Sequence, residues 1–113
     1  MLQAAIEGAQ VFVPAAWRLE IANALVVAER RGKNPPEDSA EFLNQLRSLT
    51  ISIDTIGLGL VFTSILDLAR RYQRSAYDAS YLELALRLGL PFSTKDEPLR
   101  QAAAELRVPL YLA

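Results

Sequence analysis

Three carboxylates lie at positions where an isolated charge is uncommon, and together they could bind a divalent metal ion. Glu20 belongs to a segment that is apolar on nearly every side, Asp78 falls within an apolar stripe, and Asp96 follows a short apolar run. A buried carboxylate loses its hydration, so it needs a cation, a hydrogen-bond donor or a proton. Oxygen ligands without His or Cys favour Mg²⁺ or Mn²⁺, and such ions typically support phosphoryl transfer or phosphodiester hydrolysis.

The composition excludes several other kinds of chemistry. The 113 residues include no Cys and no His, which excludes disulfides, thiolate nucleophiles, Ser-His-Asp triads and nearly all zinc catalysis. Hydrophobic residues make up 51% of the chain, enough for one domain, residues 1–113, to form its own core. The formal net charge is −1, so any contact with a nucleic acid must come from a local basic patch.

The sequence also gives an expectation about location. The uncharged run between Asp54 and Asp67 is too short to cross a bilayer. The first ten residues include Glu7 and no basic segment, unlike a signal peptide. We therefore expect a cytoplasmic protein with no membrane contact.

Short apolar runs alternate with segments of helical period along the chain. This alternation predicts an α/β domain with a mostly parallel sheet and helices on both of its faces. In such sheets, ligands bind at the carboxyl ends of the strands. The predicted strands are residues 11–13, 50–54, 90–94 and 108–112. The predicted helices are the tail 2–9, then 14–31, a helix begun by a capping box of Asp38 and Glu41, 58–72, 76–88 and 98–107.

Glu20 lies in a predicted helix whose only polar side chains between residues 15 and 28 are Arg18, Glu20 and Asn23. A helix that is apolar all round is buried. Asn23 shares the face of Glu20, whereas Arg18 points almost the opposite way and is a poor ion-pair partner. Glu20 is therefore either a buried carboxylate that a metal would stabilise or a residue on an exposed sliver of the helix. The helix alone does not decide between these two.

Asp78 and Asp96 each have a local explanation as well. Asp78 lies three residues after Ser75, a spacing typical of a helix cap, although its place among core-facing residues argues for burial. The same helix is predicted to turn Ser80, Glu83 and Arg87 toward solvent. Asp96 follows a predicted strand and precedes a helix, which is typical of an N-cap. All three acids nevertheless follow strand ends, so a parallel sheet would bring them to one edge.

Three segments resemble PIN-domain ribonucleases of the VapC toxin type, and the resemblance covers essentially the whole chain. The first is VPAAWRLEIANAL at residues 13–25, the second AYDASYLELA at 76–85, and the third LPFSTKD at 90–96. Their order, spacing and flanking residues all fit. The Tyr-Asp-Ala-x-Tyr-Leu and Thr-x-Asp elements are fairly specific when they occur together.

The resemblance implies a function and a set of roles. Glu20, Asp78 and Asp96 would be catalytic acids that bind Mg²⁺ or Mn²⁺, and Asn23 and Thr94 would be supporting polar residues near the metal. The activity implied is metal-dependent endoribonuclease cleavage of an RNA substrate. The implied partners are a cognate antitoxin protein and a second copy of the chain in a homodimer.

Family members begin with a central strand that ends in a further Asp, and this chain begins inside the helix that follows it. The resemblance therefore implies a PIN-like domain that is shortened at its N-terminus, with a sheet that lacks its middle strand. Bare strand edges would favour pairing or exchange of elements between two chains. Because the acidic set is incomplete, an alternative function remains open, a non-catalytic PIN-like module that dimerises or engages an antitoxin.

A basic cluster follows the helix that carries Glu20. It consists of Arg30, Arg31 and Lys33. Cations at a helix C-terminus are favourable in themselves because they complement the helix dipole. A contact with the RNA backbone is the alternative explanation.

Overall fold

The computed structural model describes residues 3–111 and contains a four-stranded sheet flanked by helices. The strands are β1 (Ala4–Glu7), β2 (Gln10–Pro14), β3 (Thr50–Asp54) and β4 (Phe92–Ser93). The helices are α1 (Trp17–Arg30), α2 (Pro36–Arg47), α3 (Leu66–Tyr72), α4 (Ala76–Leu88) and α5 (Glu97–Glu105). A 3₁₀ helix (Ile56–Leu60) and a π-helical turn (Val61–Ile65) connect β3 to α3. The α/β class predicted from the sequence is therefore confirmed.

The sheet is mixed, and the prediction of a mostly parallel sheet is correct only in part. The strand order is β3-β2-β1-β4. Strands β2 and β3 are parallel, with Val13 opposite Ile53. Strand β1 is antiparallel to both of its neighbours, with Ala5 opposite Phe12 on β2 and also paired with Phe92 on β4. Strands β2, β3 and β4 thus share one direction, and the reversed β1 lies between β2 and β4.

Strand β1 corrects two expectations. Residues 2–9 were predicted to be the tail of a helix, whereas the described part, residues 3–9, forms a strand and a turn. The sheet was also expected to lack its middle, and β1 fills that position. Only two residues separate β1 from β2, which allows an antiparallel hairpin and excludes a parallel crossover. Gly8 supplies the left-handed conformation of this turn, with φ of 59°.

Burial explains why helix propensity fails in this segment. Ala4 and Ala5 are strong helix formers in isolation, but they are 2% and 0% exposed in the sheet. Helix α4 packs across β1 and β2, and small side chains allow this close approach. The largest fully buried side chains of the core come from β2, β4, α4 and α5; they are Val13, Phe92, Leu82, Leu84 and Leu99.

Most of the other predicted elements are confirmed, with changed boundaries. Helix α1 begins at Trp17 instead of residue 14, and α4 begins after Ser75, whose hydroxyl accepts a hydrogen bond from the backbone N–H of Asp78. Only Phe92–Ser93 of the predicted strand 90–94 is β-structure. The predicted strand 108–112 is reduced to one bridge between Phe92 and Leu110, and its residue 112 lies outside the described residues.

Two helix predictions are wrong in detail. The capping box of Asp38 and Glu41 does not form, because α2 begins earlier, after the extended residue Pro35. The predicted helix 58–72 is three short pieces, 3₁₀, π and α. Glycine weakens regular helices, and the sequence has two glycines at the start of this segment. In residues 3–111, none of the helices is both long and apolar enough to cross a membrane.

A partly buried ion cluster connects α4 to the end of β3. Arg87 pairs with Asp54 at 2.7 Å and with Glu83 at 2.8 Å. The prediction that Glu83 faces solvent is therefore wrong, since Glu83 is only 5% exposed. The 3₁₀ helix covers this face of α4, and the N–H of Gly57 donates to Asp54 Oδ2 at 3.0 Å. A Cβ at Gly57 would meet the same oxygen at 3.0 Å, so a side chain there would push the carboxylate away.

The position of β1 predicts the effect of a charge at Ala5. Ala5→Asp buries an unpaired carboxylate in the centre of the sheet, and we expect a loss of about 3 kcal/mol or more in the free energy of unfolding. Urea denaturation measures this loss. The matched control is Ala9→Asp in the exposed turn, which should change stability by less than about 0.5 kcal/mol. Equal effects of the two substitutions would contradict a central β1.

The ion cluster predicts that substitutions of two arginines differ in their effect on stability. Arg87→Met leaves the buried Glu83 and the partly buried Asp54 without a cation, and the expected cost is about 3 kcal/mol or more in the free energy of unfolding. Arg70→Met is the control, because Arg70 and its partner Asp67 have side chains that are 70% and 77% exposed. That control should cost less than about 1 kcal/mol. A comparable cost for both variants in thermal or urea denaturation would rule out a buried cluster.

Candidate functional site

All four strands have one of their two ends at the same edge of the sheet. Strands β2, β3 and β4 end there, and the reversed β1 begins there. The chain leaving β2 enters α1 with Glu20 in its first turn, and the chain leaving β4 reaches Thr94 and Asp96. Gln3 precedes β1 at the same edge. The carboxyl-end placement expected from the sequence is therefore met for the residues after β2 and β4.

Glu20 is held by a hydrogen bond from α4. The hydroxyl of Tyr81 donates to Glu20 Oε1 at 2.9 Å. Partial burial raises the pKa of Glu20; the Tyr81 hydrogen bond opposes this rise and the nearby charge of Asp78 adds to it. Burial and the adjacent Glu20 also raise the pKa of Tyr81, so the phenol remains a donor at neutral pH. Glu20 is a partly desolvated carboxylate beside a second acid.

Asp78 is held by the amide of Gln3. Gln3 Nε2 donates to Asp78 Oδ1 at 3.1 Å, and Thr94 Oγ1 donates to Gln3 Oε1 at 2.8 Å. The amide therefore links the carboxylate on α4 to the hydroxyl after β4. The backbone N–H of Asp78 also donates to Ser75, which confirms the capping interpretation. Asp78 is only partly buried, so the expected burial is met in part, and its carboxylate reaches the sheet edge through Gln3.

Asp96 is the N-cap of α5 and is paired with a cation. Its Oδ2 accepts from the N–H of Leu99 at 3.0 Å, which confirms the capping interpretation. Arg74 Nη1 contacts both carboxylate oxygens at 3.1 Å, and the N–H of Asp96 donates to Thr94 Oγ1 at 3.1 Å. Thr94 thus lies between the Gln3 amide and the Asp96 backbone.

The structure brings the predicted acids to one region without joining them as ligands of one ion. Glu20 and Asp78 are close enough to affect each other's charge. Within residues 3–111, no three acidic side chains are arranged to hold one metal ion. Their oxygens are of the type that Mg²⁺ and Mn²⁺ bind, but Tyr81, Gln3 and Arg74 now satisfy them.

Sequence reasoning missed Gln3 and Arg74. Gln3 falls in the segment that was predicted to be the tail of a helix, and Arg74 lies in the connection between α3 and α4. The available signal was general: crowded carboxylates require hydrogen-bond donors or cations, but the sequence does not indicate which ones.

The other predicted residues have separate surroundings. Asn23 is exposed and lines a shallow cleft with Glu20 and Tyr77, so its role as a supporting residue stays a prediction. Arg30, Arg31 and Lys33 are exposed around the C-terminal end of α1, as the helix-dipole explanation requires. Their contact with RNA is untested by this geometry.

A cavity of about 540 Å³ opens beside the acids. On one side it is lined by Glu20, Tyr81, Thr94 and Asp96, and on the other by residues of the α1–α2 connection and α2. Its volume is in the range of roughly 300–1,000 Å³ that is typical of small-molecule sites. Glu20 and Asp96 are therefore accessible to a ligand of that size, whereas Asp78 does not line this cavity.

No protein-family model matches the sequence, and a search of curated proteins likewise finds no match. The resemblance to PIN domains therefore rests on the motifs at residues 13–25, 76–85 and 90–96 alone.

The raised pKa of Glu20 predicts a pH-dependent effect of Glu20→Gln. Because the folded pKa lies above the unfolded value of 4.5, the wild-type protein loses stability as pH rises from 4.5 through the folded pKa. The neutral amide avoids this loss. We therefore expect the free energy of unfolding of Glu20→Gln, relative to that of the wild type, to be higher at pH 7.5 than at pH 4. Urea denaturation in the presence of EDTA measures this difference at each pH.

Tyr81→Phe provides the companion test. It removes the hydrogen bond that lowers the pKa of Glu20, so the stability loss on going from pH 4 to pH 7.5 should become larger than in the wild type. If neither variant changes the pH dependence, Glu20 is not desolvated.

Proposed function

We propose that this chain is a PIN-like, divalent-metal-dependent ribonuclease. The observation that supports it most is that Glu20, which lines an open cavity at the edge where three strands end, lies close enough to Asp78 to be affected by its charge. A desolvated carboxylate next to a second acid is the electrostatic environment that a cation stabilises. Asp96 is connected to Asp78 through two hydrogen-bonded residues, Thr94 and Gln3.

The oxygen atoms at this edge are of the kind that a hard cation binds. When no metal is bound, each carboxylate has another partner. Glu20, Asp78 and Asp96 supply carboxylate oxygens, and Gln3 adds an amide oxygen at the same edge. Binding of a metal would exchange the Gln3 amide at Asp78 and the Arg74 guanidinium at Asp96 for the ion. The released guanidinium would then be free to bind a phosphate oxygen.

A bound Mg²⁺ or Mn²⁺ would supply an activated water and stabilise charge on the phosphodiester. The chain's own groups would hold the ion and position the RNA. Arg30, Arg31 and Lys33 remain the candidates for contact with the RNA backbone. The cytoplasmic location and the cognate antitoxin partner belong to the same proposal.

A second candidate function is a non-catalytic module that dimerises or binds an antitoxin. One observation favours it: each of the three acids already has a donor, Tyr81, Gln3 or Arg74, so the site is satisfied without a metal. An exposed apolar surface adds support, because such patches often mark protein interfaces. It surrounds an apolar cavity of about 290 Å³ and includes Leu58 and Tyr77.

Calorimetric titration of Mn²⁺ into the 113-residue chain separates the two functions. For the ribonuclease, we expect saturable binding that weakens at least about tenfold in Asp78→Asn and in Asp96→Asn, because each loses a charged ligand. Asp67→Asn is the matched control on an exposed acid and should bind Mn²⁺ like the wild type. RNA cleavage should require the metal and disappear in Asp78→Asn.

Two results would contradict the proposal. The first is a folded protein, by circular dichroism, that binds no Mn²⁺. The second is binding that Asp67→Asn weakens as much as the other variants do. Either result would favour the non-catalytic module, for which Asp78→Asn should leave the association of the chain with its partner intact.

A further inference from the structure

The cavity beside the acids has two different halves. One half is the acidic edge described above. The other half lies between α1 and α2 and has apolar walls from Ile21 and Leu25 on α1 and from Phe42 on α2. Phe42 is only partly buried, so its ring is available to a ligand. Flat apolar walls with an aromatic ring are suited to the face of a planar ring system.

The polar rim of this second half presents hydrogen-bond acceptors. Asn34 Nδ2 donates to Ser39 Oγ at 2.8 Å, and Ser39 Oγ donates to Glu29 Oε2 at 2.6 Å. This chain fixes the amide of Asn34 and leaves its carbonyl oxygen as the acceptor. Asp38, in the first turn of α2, also lines the cavity. Among residues 3–111 it has no ion-pair partner. A ligand in this half must therefore donate hydrogen bonds.

The charges around the cavity exclude an anionic group from this half. Glu20, Asp38 and Asp96 line the cavity; Arg74 pairs with Asp96, and Lys95 is the one cation among the lining residues. A phosphate placed between α1 and α2 would be repelled by Asp38, whereas an uncharged ring with N–H donors would be attracted. The charges and acceptors between α1 and α2 therefore favour a nucleobase in this half, and the phosphate would lie at the acidic edge.

We propose that the space between α1 and α2 is a base-binding subsite for an unpaired guanine. The proposal deepens the ribonuclease function and rests on it. Guanine carries two adjacent donors, N1–H and the N2 amino group, which match one carboxylate, and Asp38 is the acceptor assigned to them. The Phe42 ring packs against the face of the base, and Asn34 accepts from the remaining amino hydrogen.

The subsite requires single-stranded RNA. In a duplex, the N1–H and N2 amino group of guanine are occupied by base pairing, so they cannot reach Asp38. A base that enters the cavity also has to leave the stack. The enzyme would accordingly cut in loops or unpaired segments, next to a guanine.

Trp17 provides the readout, because it is the only Trp in the sequence and lines the cavity. Uncharged nucleosides are the probes, since they report on the base without a phosphate or a metal. In EDTA, guanosine should change the Trp17 fluorescence in a saturable manner. Inosine, which lacks only the N2 amino group, should bind about tenfold more weakly, and cytidine, uridine and adenosine more weakly than guanosine.

Variants assign the response to particular side chains. Asp38→Asn and Phe42→Ala should each weaken guanosine binding by about tenfold. Glu37→Gln is the matched control, an exposed acid in the same helical turn that does not line the cavity, and should bind guanosine as the wild type does. Because Asp38 is exposed, its substitution tests the subsite without disturbing the core.

The outcomes separate this inference from the ribonuclease proposal. Guanosine binding that depends on Asp38 supports the subsite even if Mn²⁺ titration fails. Metal-dependent cleavage without discrimination between guanosine and inosine overturns the subsite and leaves the ribonuclease. Equal responses to all five nucleosides, unchanged in Asp38→Asn, would indicate a nonspecific apolar cleft of the kind a protein segment occupies, and would also overturn the proposal.

Discussion

Strands β2 and β4 are separated by the width of one strand, and β1 lies between them. Strand β1 forms backbone hydrogen bonds with both of these neighbours. A strand can do so because it presents N–H and C=O groups on both sides. The two-residue turn before β2 fixes the antiparallel direction of β1. That direction has a chemical consequence, because it carries Gln3 to the acidic edge and leaves Glu7 exposed at the opposite end. The strand that completes the sheet thus supplies the donor for Asp78.

Crowding of carboxylates is the second constraint, and the chain meets it with a different donor for each acid. A phenol holds Glu20, an amide holds Asp78, and a guanidinium holds Asp96. Two of these three donors are neutral, so Glu20 and Asp78 still repel each other. This residual repulsion is the feature that a divalent cation would relieve, and it connects the resting structure to the proposed activity.

Helix α4 links both constraints because two of its faces carry charge. One face directs Asp78 and Tyr81 to the acidic edge, and the other directs Glu83 and Arg87 to Asp54 at the end of β3. Between them runs the apolar stripe that packs on β1 and β2. The ion cluster fixes the helix against β3, and the Tyr81–Glu20 hydrogen bond connects it to α1. The separation of Asp78 from Glu20 depends on this arrangement.

Sequence alone determined the features that short-range geometry controls. The α/β class, β2, β3, and the Ser75 and Asp96 caps all follow from period and from contacts within a few residues. Tertiary structure decided what depends on partners far along the chain. Helix propensity could not reveal that residues 4–7 fill a gap between β2 and β4, nor that the 3₁₀ helix covers Glu83. Gln3 and Arg74 meet their acids across long sequence separations, and only the assembled sheet brings those donors and charges within reach.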